Sequence, residues 1–190
     1  GDILSWESLN KKFDVIISSG VIHHMDNPSV GLEHLVNSLR ENGKIRLGLY
    51  SKLARKPLYD ALAQLSNTFD NVTFENILDV RKYLLDNYKN EQQYRSIINC
   101  EDFYSKSGCR DLLFHSTEHL FEVEKLITLL KENKLTFEQV ELQNQVQLDL
   151  LNSNFPKGKS IRCLKAWVGF EQQHPYFFSN MYQFWAIKDN

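Results

Sequence analysis

The stretch Phe13 to Pro28, FDVIISSGVIHHMDNP, decides how the chain reads. Its first part, Asp14-Val-Ile-Ile-Ser18, is a short apolar run with no polar alternation. That is the pattern of a strand covered on both faces, as in a parallel sheet flanked by helices. The run ends in Ser18-Ser19-Gly20, small residues that let a backbone approach another group closely. Open parallel sheets bind ligands in the crevice beyond the carboxyl ends of their strands. Ser19, Gly20, His23 and His24 are expected there.

Working outward, Asn27-Pro28 opens a helix. Asp26 or Asn27 can cap it, and Pro28 suits the first helical position, where its missing N–H costs nothing. Leu32, Leu35, Val36 and Leu39 supply its apolar stripe, and Gly43 is expected to end it as a left-handed residue. A strand follows over 44–50. It alternates Ile45, Leu47 and Leu49 with Arg46, Gly48 and Tyr50, so one face should be less thoroughly covered. Strand, helix, strand in this order is a βαβ unit, with a right-handed crossover.

At these residues the chain resembles the class I S-adenosylmethionine-dependent methyltransferases. FDVI-x-x-x-GV-[IL]-HHM-x-[DN]-P is similar to that family's fourth-strand motif. Asn42-Gly43 and the strand Lys44-Ile-Arg-Leu-Gly-Leu-Tyr50-Ser51 resemble its fifth strand. Leu49-Tyr50-Ser51 with Ala54-Arg55 looks like a bacterial subgroup often attached to tetratricopeptide repeats. Gly108-Cys-Arg-Asp-Leu-Leu-Phe-His115, Glu118-His119 and Met181-Tyr-Gln-Phe-Trp185 match it too, so the likeness covers most of the chain. It implies an α/β fold with a Rossmann-like methyltransferase sheet, mostly parallel with an antiparallel C-terminal strand pair.

The resemblance also implies parts that do not appear. Such enzymes hold the cofactor's methionine end with a glycine-rich turn after the first strand and the ribose with an acidic residue after the second. Only twelve residues precede Phe13, and they contain no such turn. Asp2-Ile3-Leu4 resembles the segment after the third strand, whose aspartate meets the adenine amino group. The chain, which begins with Gly1, therefore looks like the C-terminal part of a methyltransferase, lacking the first strands. It is expected to bind cofactor weakly or not at all by itself. An unpaired strand edge as apolar as this one invites pairing, either as a homodimer or with a missing N-terminal part.

The 190 residues read as a single domain, with 42% hydrophobic and 12% aromatic content. Lysine plus arginine number 22 against 24 acidic residues, so there is no strong nucleic-acid signal. Cys100, Cys109 and Cys163 form no C-x-x-C pair, which argues against a structural zinc site and fits reduced thiols in a cytoplasmic protein. No apolar run approaches the roughly 20 residues of a membrane span.

Further along, the pattern is helical from Leu53 to about Lys89, with Leu58, Leu62 and Leu65 on one stripe and Ile77, Leu78, Leu84, Leu85 and Tyr88 on another, separated by Asn67 to Asn71. Residues 90–119 are polar and irregular yet carry Tyr94, Phe103, Tyr104 and Phe114. They read as an insertion or lid folding over the sheet's carboxyl edge. Phe121 to Asn133 is an amphipathic helix, 135–142 a strand, 160–173 a helix after a polar connection, and 182–188 the last strand. The resemblance pairs the last two strands antiparallel at the sheet edge.

Methyl transfer from a sulfonium requires alignment, water exclusion and sometimes removal of a proton, so a weak catalytic signature is in keeping with it. His23 and His24 are the candidate catalytic bases, because an imidazole titrates near neutrality. Their alternative role is packing over the cofactor edge. The cofactor residues implied by resemblance and position are Asp2, Ile3, Ser18, Ser19, Gly20 and His23. Tyr50, at a strand's carboxyl end, is a candidate substrate contact or an ordinary core tyrosine. Arg110 could fork onto an anionic group or pair with Asp111. His115 and His119, at i and i+4, could share a helical face as a metal pair or as polar lid contacts; no metal site is expected. Trp167, Trp185, Phe170, Phe177 and Phe178 read as core. The acceptor is unidentified, and the alternative to an enzyme is a methyltransferase-like interaction module without catalysis.

Overall fold

A computed structural model describes residue 3 and residues 11–65, 75–115, 117–155, 161–179 and 181–190. In chain order the elements are β1 (Phe13–Ser19), α1 (Pro28–Asn37), β2 (Leu39–Tyr50), α2 (Lys52–Leu65), α3 (Ile77–Tyr88), α4 (Arg95–Ile98), α5 (Lys106–Phe114), α6 (Val123–Glu132), β3 (Leu135–Val140), α7 (Gln145–Asn154), α8 (Leu164–Gln173) and β4 (Met181–Lys188). The chain forms two compact units, one of Gly1–Leu53 with Thr117–Asn190 and one of Ala54–Ser116.

The first unit is built on a four-stranded sheet of order β1-β2-β4-β3. β1 and β2 run parallel across α1, as the βαβ reading requires. β4 is antiparallel to both β2 and β3 and lies between them. The expectation of a mostly parallel sheet is therefore corrected: inserting β4 between β2 and β3 makes two of the three pairings antiparallel. On one face Ile45, Leu47 and Leu49 lie beside Ala186, Phe184 and Tyr182, all buried. Leu32, Leu35 and Val36 of α1, Val123, Leu126 and Leu130 of α6, and Trp167 and Phe170 of α8 complete this core. The opposite face is polar and half-covered. There Lys44 pairs with Glu138 at 2.7 Å, while Arg46 meets Glu141 and donates to Gln183 Oε1 at 2.7 Å.

β1 departs from the expectation of two covered faces. Val15 is 51% exposed and Ile17 64%. They register with Lys44 and Arg46, so they fall on the polar face, and among the described residues β1 is an edge strand with β2 as its neighbour. An apolar run marks two covered faces only when layers lie on both. The end of α1 also differs. The helix starts as expected, with Asn27 Oδ1 accepting from the N–H groups of Ser29 and Val30 at 3.1 and 3.3 Å. It stops at Asn37, before Gly43. Lys188 Nζ donates to the carbonyls of Val36 and Leu39 at 2.9 and 3.1 Å, and Lys12 Nζ to that of Asn37. Lysines thus satisfy the terminal carbonyls that a left-handed glycine would otherwise close off. Burial and the nearby Lys12 push the Lys188 ammonium pKa down. The positive φ falls on Asn42 (59°), and Gly43 is needed for space instead, since a Cβ there would stand 2.8 Å from the Arg40 carbonyl.

The polar connection expected after β3 contains a helix, α7. Asn144 caps it by accepting from the Gln147 N–H at 3.0 Å. Val146 and Leu150 stand at i, i+4 and Leu148 and Leu151 at i, i+3, yet of these four Leu151 alone is fully buried. In the second unit Leu58, Ala61 and Leu65 of α2, Val80 and Leu84 of α3, and Leu112 and Leu113 of α5 share a core with Tyr94 and Phe103. Leu78 is 46% exposed, and Val80 takes the buried place on α3. The segment 90–119 is more regular than its composition indicates: it holds α4, α5 and two 3-10 turns, and its residues from Thr117 onward belong to the first unit. The separator Asn67 to Asn71 lies outside the described residues. No helix of the described residues is long and apolar enough to cross a membrane.

Two expected outcomes follow from this packing. A Cβ on Gly48 would collide with Ser19 Oγ and come within 2.7 Å of Met181 Sδ, because these two side chains close over the glycine from the flanking strands. Gly48→Val should cost about 1–3 kcal/mol in denaturant unfolding, with Gly48→Ala milder; an unchanged midpoint for the valine variant would refute the close packing. All three cysteines are free, Cys163 exposed and Cys109 buried, and burial pushes the Cys109 thiol up to about 11. Iodoacetamide should label Cys163 in the native protein and reach Cys109 only on unfolding, as mass spectrometry of the labelled peptides would show.

Candidate active site

Three segments of the first unit meet where β1 and β2 end. The first is the turn after β1. Ser18 registers with Leu47 and faces the buried side, and its hydroxyl has no hydrogen-bond partner among the described residues. Ser19 and Gly20 are exposed. Gly20 takes φ 73° and donates its N–H to the Gly48 carbonyl at 3.3 Å. Nothing stands within 4 Å of where its Cβ would be, so glycine serves the left-handed turn, and the space beside it is open. A 3-10 turn over Ile22–His24 follows. Ile22 is anchored in the core, and the tight turn carries His23 to full burial beside it.

The second segment is the end of β2. The half-buried Tyr50 ring lies 3.8 Å from that of His23, centroid to centroid and tilted by 30°. His24 sets its edge against both, at 4.3 Å from His23 and 5.4 Å from Tyr50. The adjacent imidazoles and Tyr50, predicted separately, form one cluster of rings.

The third segment, Thr117 to Glu122, is a strap that the sequence did not reveal. His119 N–H donates to the His23 carbonyl at 2.8 Å, Phe121 N–H to the Tyr50 carbonyl at 2.9 Å, and Lys52 N–H to the Phe121 carbonyl at 2.8 Å. Lys52 also pairs with Glu122 at 2.8 Å, and this hydrogen bond pulls the Glu122 carboxyl pKa down. His24 Nδ1 lies 2.9 Å from the Thr117 carbonyl. A carbonyl oxygen can only accept, so Nδ1 carries the proton and a neutral His24 holds its lone pair on Nε2.

Behind the strand end lies a buried polar group that sequence reasoning also missed. Glu171 Oε1 accepts from Ser51 Oγ at 2.7 Å and from the Tyr182 hydroxyl at 2.5 Å. All three residues are 2% exposed or less. Burial pushes the Glu171 carboxyl pKa up, and burial with the neighbouring Glu171 raises the Tyr182 phenol. Glu171 follows Trp167 and Phe170 on α8, and this was the only signal: an acidic residue flanked by the helix's core positions.

Asp2 lies outside the described residues. Ile3 packs, partly buried, against the core of the first unit. His119 is half-buried on the strap and lines a cleft of about 430 Å³ with Asn27, Ser29, Glu124 and Thr128; the ring cluster takes no part in that cleft. Arg110 and His115 are exposed on the second unit, and Arg110 makes no ion pair with Asp111. The shared helical face of His115 and His119 is corrected, because α5 ends at Phe114 and Thr117 to His119 are not helical. Among the described residues no three His, Cys, Asp or Glu groups are placed to hold a metal ion. Trp167, Phe170, Phe177 and Phe178 are buried in mutual ring contact, as expected of a core, while Trp185 lies half-buried on the sheet's polar face.

No family model matches the chain. Among solved structures it is similar to PKMT2 from Rickettsia typhi, with a TM-score of 0.63 at 15% identity over 99% of this chain and 39% of that one. It is also similar to PKMT2 from Rickettsia typhi in complex with AdoHcy, with a TM-score of 0.62 at 15% identity over 100% of this chain and 38% of that one. The chain thus spans less than two-fifths of the length of these proteins, and what it shares with them is the fold.

Proposed function

We propose that this chain carries part of the site of an S-adenosylmethionine-dependent methyltransferase acting on an unidentified acceptor. The observation that carries the reading is the carboxyl edge of β1. Among the described residues the buried Ser18 hydroxyl has no partner, and the left-handed turn at Gly20 leads on to the 3-10 turn whose His23 ring lies against that of Tyr50. An orphaned buried hydroxyl marks a place for a polar ligand group. The fold likeness to a protein solved with AdoHcy supports the same ligand class.

When bound, S-adenosylmethionine supplies a methyl group on a sulfonium, whose sulfur keeps the bonding pair as it leaves. Ser18, Ser19, Gly20 and His23 would hold it, together with Asp2 and Ile3 as the family resemblance implies. Tyr50 and His119 are the acceptor-side candidates. The strap, bonded to both the His23 and Tyr50 backbones, keeps the rings in place without rearrangement. His24 is oriented by the Thr117 carbonyl so that Nε2 can take the proton an acceptor N–H or O–H releases. Rigid alignment is the main contribution such a site makes.

A second reading, an interaction module without catalysis, is favoured by the apolar side chains Val15 and Ile17 exposed on the edge strand. It expects self-association, or pairing with another segment, through β1. Sedimentation showing a monomer at high concentration would remove that support.

Label from S-adenosyl-[methyl-³H]methionine should enter a cell-extract acceptor when the full-length protein is added; no incorporation across extracts favours the module. His24→Ala should lower kcat by roughly 100-fold and flatten the acidic limb of the pH–rate profile, whereas an unchanged profile assigns His24 to packing. The 190 residues alone should bind the cofactor only weakly by calorimetry, and a micromolar Kd would show that they hold a complete site.

A further inference from the structure

Glu171 has no part in the chemistry above, yet a carboxyl group is kept almost wholly out of water there. Its placement relates to Tyr50. Side chains alternate along β2, so Leu49 and Ser51 face the core while Tyr50 faces the other way. Ser51 directly follows Tyr50, and Tyr182 stands opposite Leu49 in the register of β2 with β4. Both give their hydroxyl protons to the same oxygen, Glu171 Oε1, at 2.7 and 2.5 Å. One carboxylate on α8 therefore grips the strand end on both sides of Tyr50. The strap holds the same strand end through backbone bonds to Tyr50 and Lys52. The raised Glu171 carboxyl pKa shows that its burial is unfavourable to the charged form, so packing alone is a poor reason to place it there.

We propose that Glu171 is a positioning residue that, through Ser51 and Tyr182, fixes the end of β2 so that the Tyr50 ring stays against His23. Its bearing on turnover rests on the methyltransferase reading; its bearing on ring geometry does not.

The test reads the rings first. In the 190-residue chain labelled with ¹³C at histidine Cε1, six histidine signals are expected, and that of His23 is identified by its loss in His23→Gln. Tyr50→Leu gives the position of the His23 signal without its stacking partner. Glu171→Leu and Ser51→Ala should move the signal toward that position. Glu171→Gln, whose amide oxygen still accepts both hydroxyls, should leave it at the wild-type position. Thermal melting checks that each variant is folded. A folded Glu171→Leu or Ser51→Ala protein with His23 unmoved overturns the proposal, as does Glu171→Gln moving as far as Glu171→Leu. Ser51→Ala decides alone if Glu171→Leu does not fold. In the methyl-incorporation assay on the full-length protein, Ser51→Ala should lower kcat roughly tenfold with the cofactor KM unchanged. If the wild type transfers no methyl, the functional reading fails while the histidine spectra still decide this one.

Discussion

The constraint on which the first unit depends is the register of β2 against β4. Leu47 lies opposite Phe184 and Leu49 opposite Tyr182, so the apolar halves of both strands fall on one face. A slip of one residue would send every side chain to the other face. It would turn Tyr50 into the core and Leu49 out of it. The irregularities of the sheet sit outside this ladder: on β2 before Lys44, where Phe13 pairs with Leu39 and Val15 with Lys44, and at Phe137/Gln139 in β3. The ladder from Lys44 to Tyr50 stays regular while the bends fall beyond it. Tyr50 is presented at the carboxyl edge because Leu49 is held in the core.

The ring cluster inherits its order from this ladder. His23 is buried because Ile22 anchors the turn in the same core that Leu47 and Leu49 define. The strap then bonds across the gap, from the His23 carbonyl to the Tyr50 carbonyl, using main-chain groups. Main-chain bonds fix position independently of side-chain rotamers. Two ends of adjacent strands and one returning segment thus become a rigid frame in which the imidazole of His24 has a defined tautomer.

Much of this was legible in the sequence, and what was not has physical causes. Asn27-Pro28 carries its cap chemistry locally, so the start of α1 could be read directly. The alternation of β2 gave its faces, since the period of side chains is a local property. The exposure of Val15 and Ile17 is not local: an apolar run looks the same whether one or two layers cover it. The insertion of β4 between β2 and β3 is a matter of pairing, which periodicity does not encode. The strap has neither helical nor strand period, because its bonds are single main-chain contacts to residues far away in sequence. Glu171 looked like an ordinary polar position of a helix, since its partners, Ser51 and Tyr182, come from two separate strands.

Burying Glu171 makes its contribution to stability depend on pH, which bears on what it is for. A raised carboxyl pKa means that the folded chain holds the proton more tightly than the unfolded one. The contribution of this group to stability is then full below its unfolded pKa, about 4.3, and falls as pH rises toward the folded value. Near neutrality its burial disfavours the charged form, which the hydrogen bonds from Tyr182 and Ser51 offset in part. Glu122 is the opposite case: its lowered pKa gives stability above the unfolded value that is lost as pH falls. The exposed pair of Glu122 with Lys52 therefore favours the strap at neutral pH, while the contribution of Glu171 has diminished there. A group buried against its charged form that ties two strands beside the rings is better understood by what it holds in place than by the energy it adds.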